Sequence, residues 1–413
     1  MTRWKSGLLL ALEFVVLLNP LNSPLGRAAE PTAVRDMKWD AVFRRHEGWT
    51  GGDGAYSISL GDGRTLWTFG DTWIGKIENG RHASGSRLVN NSVAVHPTPT
   101  SGGAPRPDQV QFFWGAANQA GQPRAWIRPA KEIAAMRAAD QGGETRSWYW
   151  LADGLLVPKK NGRDRLILFL WHIGRKPKAK GVWSFQSLGG AMAVISNPHD
   201  PLERWSVRRI DNPHAIGAAR AARNPGMQET SWGSEVLLMP PSAKGQLPEI
   251  YIFGVREAGE GNKQLLLARA TANRIEDFGA WQFRGAGDWV DHPCDAVSLA
   301  ERIVNEFSIS PVTNGQNHSW IMVHSEPWFG ARIMIRRSSR VEGPWSKPQP
   351  VFRVDELKRD KSYFTYAAKA HADLSRPGEL LISYVVNAHR FGAMVADAGI
   401  YRPRFVRLRL KLD

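Results

Sequence analysis

The chain has one cysteine in 413 residues, so no disulfide can tie it together from within and its stability must come from a packed core. That cysteine stands in His292-Pro293-Cys294-Asp295. With no second cysteine and no matching motif it reads as a structural thiol rather than a nucleophile or metal ligand. Long apolar runs are missing as well. The candidate stretch, Leu8 to Leu18, falls well short of the roughly 20 residues a helix needs to cross a bilayer. It follows Arg3 and Lys5 and leads into small residues ending at Ala28 and Ala29, which is the order of a signal peptide. Residues 1–28 are therefore expected to direct export, to the periplasm or outside the cell. No membrane span is expected after them. Charge is uneven, with 54 Lys and Arg against 39 Asp and Glu and a net charge of +15. No basic run or nucleic-acid-binding motif accompanies that excess, so it reads as a generally cationic surface and nucleic acid is not an expected partner. Amphipathic helical periodicity is also lacking, which argues against alternating α/β layers.

What is present is one phrase written five times, the signature of a repeat architecture. In the first copy Ala55-Tyr56-Ser57-Ile58-Ser59-Leu60 runs through the turn Gly61-Asp62-Gly63-Arg64 into Thr65-Leu66-Trp67-Thr68-Phe69-Gly70, with Ser92-Val93-Ala94-Val95 following. An Asp-Gly or Asn-Gly pair between alternating strands is a strong hairpin signal. The second copy repeats it around Asn161-Gly162, between Gly154 to Pro158 and Leu166 to Trp171, and then Ala191 to Ile195. Later copies begin at Val236 to Met239, Ser308 to Val312 and Ala367 to Leu374. Short tails ending in tryptophan, at Trp205, Trp281 and Trp345, follow the third strands and introduce a fourth. Five four-stranded units arranged radially protect their edges as a propeller does. The fold expected is all-β, a single five-bladed β-propeller over residues 29–413, and a monomer. Met37 to Arg45 has no place in the first unit and is expected to complete the fifth as its outer strand.

In such a ring the inner strands converge on the axis, and four of them carry an acid at one position: Asp53, Asp153, Glu235 and Glu306. The ends of the second strands add Asp71, His172, Arg256 and His324. Like charges gathered at an axis raise one another's pKa and cost stability, which points to function. One carboxyl kept protonated and another ionised is what glycoside hydrolysis requires. Asp53, Asp71, Asp153 and Glu235 are the catalytic candidates. Trp73, Trp150 and Trp232 offer faces for sugar stacking, and Asn90, Asn91, His172, Arg256, Glu306, His324, Tyr366 and His371 complete the expected substrate-binding set. Polysaccharide or oligosaccharide is the expected partner.

Asp53 to Ser57, the stretch Gly61 to Thr72 and Asn90 to Val95 resemble a bacterial family long known as a domain of unknown function, some members of which are endo-D-arabinanases. More broadly the chain is similar to the five-bladed arabinanase, xylosidase and invertase glycosidases. The resemblance implies furanoside hydrolysis without a cofactor, with Asp53 as base or nucleophile, Asp153 as the acid that tunes its neighbours and Glu235 as general acid. Asp71 is additional to that pattern and competes with Asp53. The wider group also holds, in some arabinanases, a cation on the axis such as calcium, for which His172, His324 and His371 could be ligands. A propeller that binds glycan without cleaving it is the alternative, since fold alone does not fix function.

Overall fold

The structure, a computed structural model, describes residues 32–130, 147–158, 164–176, 181–241, 243–259, 261–314 and 317–410. Five antiparallel sheets stand around a central axis. Blade one is built from Glu47–Ser59, Arg64–Glu78, Ser92–Pro97 and Gln111–Phe113. Blade two has Ser147–Val157, Arg165–Arg175, Phe185–Ile195 and Val207–Asn212. Thr230–Met239, Glu249–Glu257, Lys263–Thr271 and Gln282–Arg284 make blade three. Blade four comprises Phe307–Asn314, Asn317–Ser325, Arg332–Ser338 and Gln349–Arg353. Blade five takes Tyr363–Ala370, Glu379–Ala388 and Arg404–Arg409 from the end of the chain and Ala33–Arg35 from its beginning.

Local chemistry explains the pattern. Asp62 Oδ1 accepts the Arg64 amide at 3.1 Å and fixes the blade-one turn, an Asx device that lets a short polar residue do a backbone's work; the expected Asn161-Gly162 turn lies outside the described residues. The tryptophan tails close on themselves: Trp205 donates its indole N–H to Asp200 O at 3.0 Å and Trp281 to Ile275 O at 3.0 Å. Apolar residues alternate along the strands and fill the spaces between blades, as with Trp67, Phe69, Phe43 and Phe405 between blades one and five. Cys294 is exposed rather than packed inside, because it sits in a one-turn segment capped by His292.

The ring closes differently from the sequence expectation. Met37–Val42 is a helix, not a strand. Asp36 caps it by accepting the Lys38 and Trp39 amides, both at 3.0 Å, and Trp39, Val42 and Phe43 are buried in the core, a three-and-four spacing that suits a helix and defeats a strand. The closing strand is Ala33–Arg35 just upstream, paired with Val406 to Leu408. Charges lock it in place: Arg35 reaches Glu356 at 2.6 and 2.7 Å, Arg407 reaches Asp36 at 2.5 Å and Arg402 reaches Asp40 at 3.1 Å. Removing one partner of such a buried pair costs about 3–5 kcal/mol.

The inner strands also run further than the sequence suggests. Asp53, Asp153 and Glu235 lie inside strands, at positions where the pairing slips: between Gly52 and Tyr56 in blade one, Leu151 and Gly154 in blade two, Trp232 and Glu235 in blade three. Blade five slips at the same height, between Tyr366 and Lys369. A β-bulge re-aims one side chain, and four blades use it to turn a charged residue toward the axis. Gly233 makes room for one such bend, with φ +85° and no space for a Cβ, which would meet the Phe169 ring at 2.1 Å.

Candidate active site

Above the axis the blades enclose a cavity of about 760 Å³ lined by Asp53, Asp71 and Glu306, with Trp148, Trp150 and Trp171 among its aromatic walls. Asp53 comes from the first bulge. Its Oδ2 accepts hydrogen bonds from the Tyr366 hydroxyl at 2.6 Å and the Tyr401 hydroxyl at 2.9 Å, and its Oδ1 lies so close to Gly70 that a Cβ there would meet it at 2.4 Å. Burial raises its pKa, while the two phenols and the Lys369 cation favour the ionised form. Asp71 follows on the second strand. Its Oδ1 accepts from Trp150 Nε1 at 2.9 Å and Asn90 Nδ2 at 3.1 Å, and burial together with the Asp53 charge pushes its carboxyl up to about 7. Glu306, at the foot of blade four, is likewise pushed to about 7 by burial, against the opposing pull of Lys369.

Lys369 was not anticipated from sequence. It is 1% exposed, lies 3.5 Å from Glu306, donates to the carbonyl of Gly54 and stands 4.0 Å from the centre of the Tyr56 ring. Burial lowers its pKa while Glu306, Asp53 and Asp153 raise it. Several acids thus share one buried cation, so they cannot all ionise together and their pKa values must spread. Its signal in the sequence is a single charge in the otherwise uncharged blade-five strand, at the height where other blades carry acids. Tyr401 was missed too, since it lies on a connection that no repeat marks.

The four catalytic candidates form one electrostatic group, since Asp71 feels Asp53, Glu235 feels Asp153, and Asp53, Asp153 and Glu235 all feel Lys369, but they differ in whether they line the cavity. Asp53 and Asp71 line the cavity; Asp153 and Glu235 are absent from its lining and pair with each other's surroundings instead. Asp153 Oδ2 accepts the Val236 amide at 2.8 Å, and burial holds its carboxyl at about 7. Burial, then the neighbouring Asp153, raises Glu235 well above the ordinary range.

Among the binding candidates, Asn90, Trp150, Glu306 and Tyr366 line the cavity and the other seven do not. Asn91 is a buried staple, donating to Ile127 O at 2.9 Å and Tyr149 O at 2.8 Å and accepting the Ile127 amide at 2.9 Å. Trp73 is buried and stacked on His82 at 4.2 Å, and Trp232 is buried with its N–H on His214 O at 3.0 Å. Arg256 binds Gln264 at 2.9 Å and Ala296 O at 3.0 Å. The histidines expected around a cation are spread over three blades: His371 lies 2.8 Å from both Ser57 and Ser383, His324 2.7 Å from Ser325 O, and His172 3.1 Å from Ser147. No cluster of three or more His, Cys, Asp or Glu with metal-holding geometry occurs among the described residues.

A family model described as a domain of unknown function, DUF5005, matches residues 36–410. The chain belongs to the DUF5005 family. Its match covers the cavity residues named above and every blade strand except the closing Ala33–Arg35. No curated protein matches this DUF5005 chain significantly. Among solved structures, a Bacteroides ovatus protein provisionally named a hydrolase is 19% identical with a TM-score of 0.68, over 91% of this chain and 90% of that one. An α-L-arabinofuranosidase from Podospora anserina, solved with cellotriose, is 11% identical over 92% and 96% of the two chains, with a TM-score of 0.41. A family GH62 α-L-arabinofuranosidase from Coprinopsis cinerea is 10% identical over 92% and 97%, again at 0.41. The Bacteroides ovatus likeness is one of fold.

Proposed function

We propose that this DUF5005 protein is an exported glycoside hydrolase acting on furanosidic, arabinan-type linkages, with Asp53 and Asp71 as its acid–base pair. Residues 1–28 are its export signal and residues 29–413 its single catalytic domain. The observation that carries the reading is the convergence of Asp53, Asp71 and Glu306 on one aromatic-walled cavity, where the environments of the first two differ. Two phenol hydroxyls on Asp53 Oδ2 favour a carboxylate. Asp71, held near 7, keeps a proton to neutral pH. Both donors to Asp71 end on Oδ1, which leaves Oδ2 to carry that proton.

In the reaction Asp71 protonates the glycosidic oxygen as the bond from that oxygen to the anomeric carbon breaks. Asp53 either takes a proton from the attacking water or bonds the anomeric carbon first and is then released by water; the anomer formed distinguishes the two. Aromatic faces around the cavity suit sugar rings, and the likeness of residues 53–72 and 90–95 to arabinanase-containing sequences supports furanose as the sugar. The test is reducing-sugar release from a panel of furanose polymers by the wild type beside Asp53→Asn. Release by the first and not the second supports hydrolysis. Retention on the polymer with no release by either selects the glycan-binding alternative.

A further inference from the structure

Trp183 lies just before the third strand of blade two, and its ring centre is 5.1 Å from Phe329, 5.5 Å from Phe364 and 5.9 Å from His389. Phe329 belongs to a turn of blade four; Phe364 and His389 belong to blade five. In a ring of five, blade two neighbours only blades one and three. A contact from blade two to blades four and five must therefore pass over the axis, above the cavity.

The far abutment of this bridge is built to stay put. Trp328 and Phe329 have φ of +63° and +57°, a left-handed conformation that non-glycine residues keep only when their surroundings impose it. Trp328 packs on Gly261 of blade three, where a Cβ would meet its ring at 2.1 Å. Arg332 clamps Glu326 at the base of the turn through two contacts, one at 2.9 Å. Trp183 and Phe329 are nonetheless 45% and 42% exposed. Below the bridge one continuous cavity holds Asp53 and Asp71 on the blade-one side and Glu229, Glu257 and Lys263 on the blade-three side.

We infer that the Trp183–Phe329 bridge restricts the site to chain ends. A roofed passage admits a polymer only by its terminus, because an internal stretch would have to pass through the aromatic contact. The inference rests on the hydrolase reading for its catalytic meaning, while the roof itself governs binding with or without cleavage. The substrate class is thus the free end of a glycan chain, with rings stacking on the bridge aromatics as they enter.

The experiment compares the wild type with Trp183→Ala, and with Trp183→Ala combined with Phe329→Ala, on soluble linear arabinan. Viscosity and reducing ends are followed together, and retardation in a native gel containing the same arabinan is measured without regard to turnover. The wild type is expected to release many reducing ends for little loss of viscosity. The variants should lose several-fold more viscosity per end released and be retarded more strongly in the gel. A wild type that thins the polymer rapidly, or variants with the same viscosity-to-ends ratio and the same retardation, overturns the inference. If no protein releases reducing ends, the hydrolase reading fails on its own and the gel decides the bridge: stronger retardation of the variants upholds the roof, and equal retardation removes it.

Discussion

Replacing Asp71 by asparagine should stabilise the protein at alkaline pH while removing its activity. The wild-type carboxyl sits at about 7 instead of its ordinary 3.8 because it is buried beside Asp53. Between those two values the folded chain holds a proton the unfolded chain has lost, so stability falls as pH rises through that window and the penalty is complete above about 7. Below the unfolded value the residue contributes nothing. The displacement sets a ceiling of ~4 kcal/mol. Partial solvent access at the cavity wall reduces this to roughly 1–2 kcal/mol, by the same screening that weakens exposed ion pairs. Asparagine removes the charge but keeps Oδ1, the oxygen that accepts from Trp150 and Asn90, so little is lost on the other side. Urea denaturation of wild type and Asp71→Asn near pH 4.5 and near pH 8.5 reads the difference. The variant should gain stability at the higher pH and be close to wild type at the lower one. An equal change at both values, or a loss at the higher, refutes the argument that Asp71 carries a buried, displaced proton.

Other outcomes follow from the same contacts. Gly70→Ala places a Cβ 2.4 Å from Asp53 Oδ1, so kcat should drop at least tenfold with the fold retained by circular dichroism. Lys369→Met removes the cation that lowers Glu306 and Asp53; both carboxyls rise, and the acid limb of the kcat/KM profile should move to higher pH. Deleting residues 32–36 strips the outer strand of blade five and leaves Glu356 without Arg35, which should cost about 3–5 kcal/mol and lower the melting temperature. An unchanged melting temperature would mean that the ring closes without that strand.

Much of this architecture is legible in the sequence because propeller hairpins are local: repeated short strands of alternating residues, with Asp62-Gly63 and Asn161-Gly162 turns in the first two copies, mark the blades without reference to one another. The closing strand lies a few residues upstream of the expected Met37 to Arg45, a stretch whose Asp36 cap and helical apolar spacing make it a helix instead. Placing acids at the axis was also readable, from their shared position. Dividing them was not. Asp153 and Glu235, like Asp53, sit where the strand pairing slips, and a bulge leaves no fixed mark in composition. Likewise the hydrogen bonds that make Asn91 a staple and His371 a bridge between serines join residues far apart in the chain, so polar residues that looked available for sugar are already engaged.

In the proposed hydrolysis Asp53 and Asp71, which line the cavity, act as the acid–base pair, and Asp153 and Glu235 do not. Single-turnover rates on a cleavable arabino-oligosaccharide test it directly for Asp53→Asn, Asp71→Asn and Glu235→Gln beside the wild type. Losses of about 10²–10⁴-fold are expected for the first two, the range of acid–base catalysis, and a much smaller loss for Glu235→Gln. A Glu235→Gln enzyme as dead as Asp53→Asn, or an Asp71→Asn enzyme at wild-type speed, would contradict it.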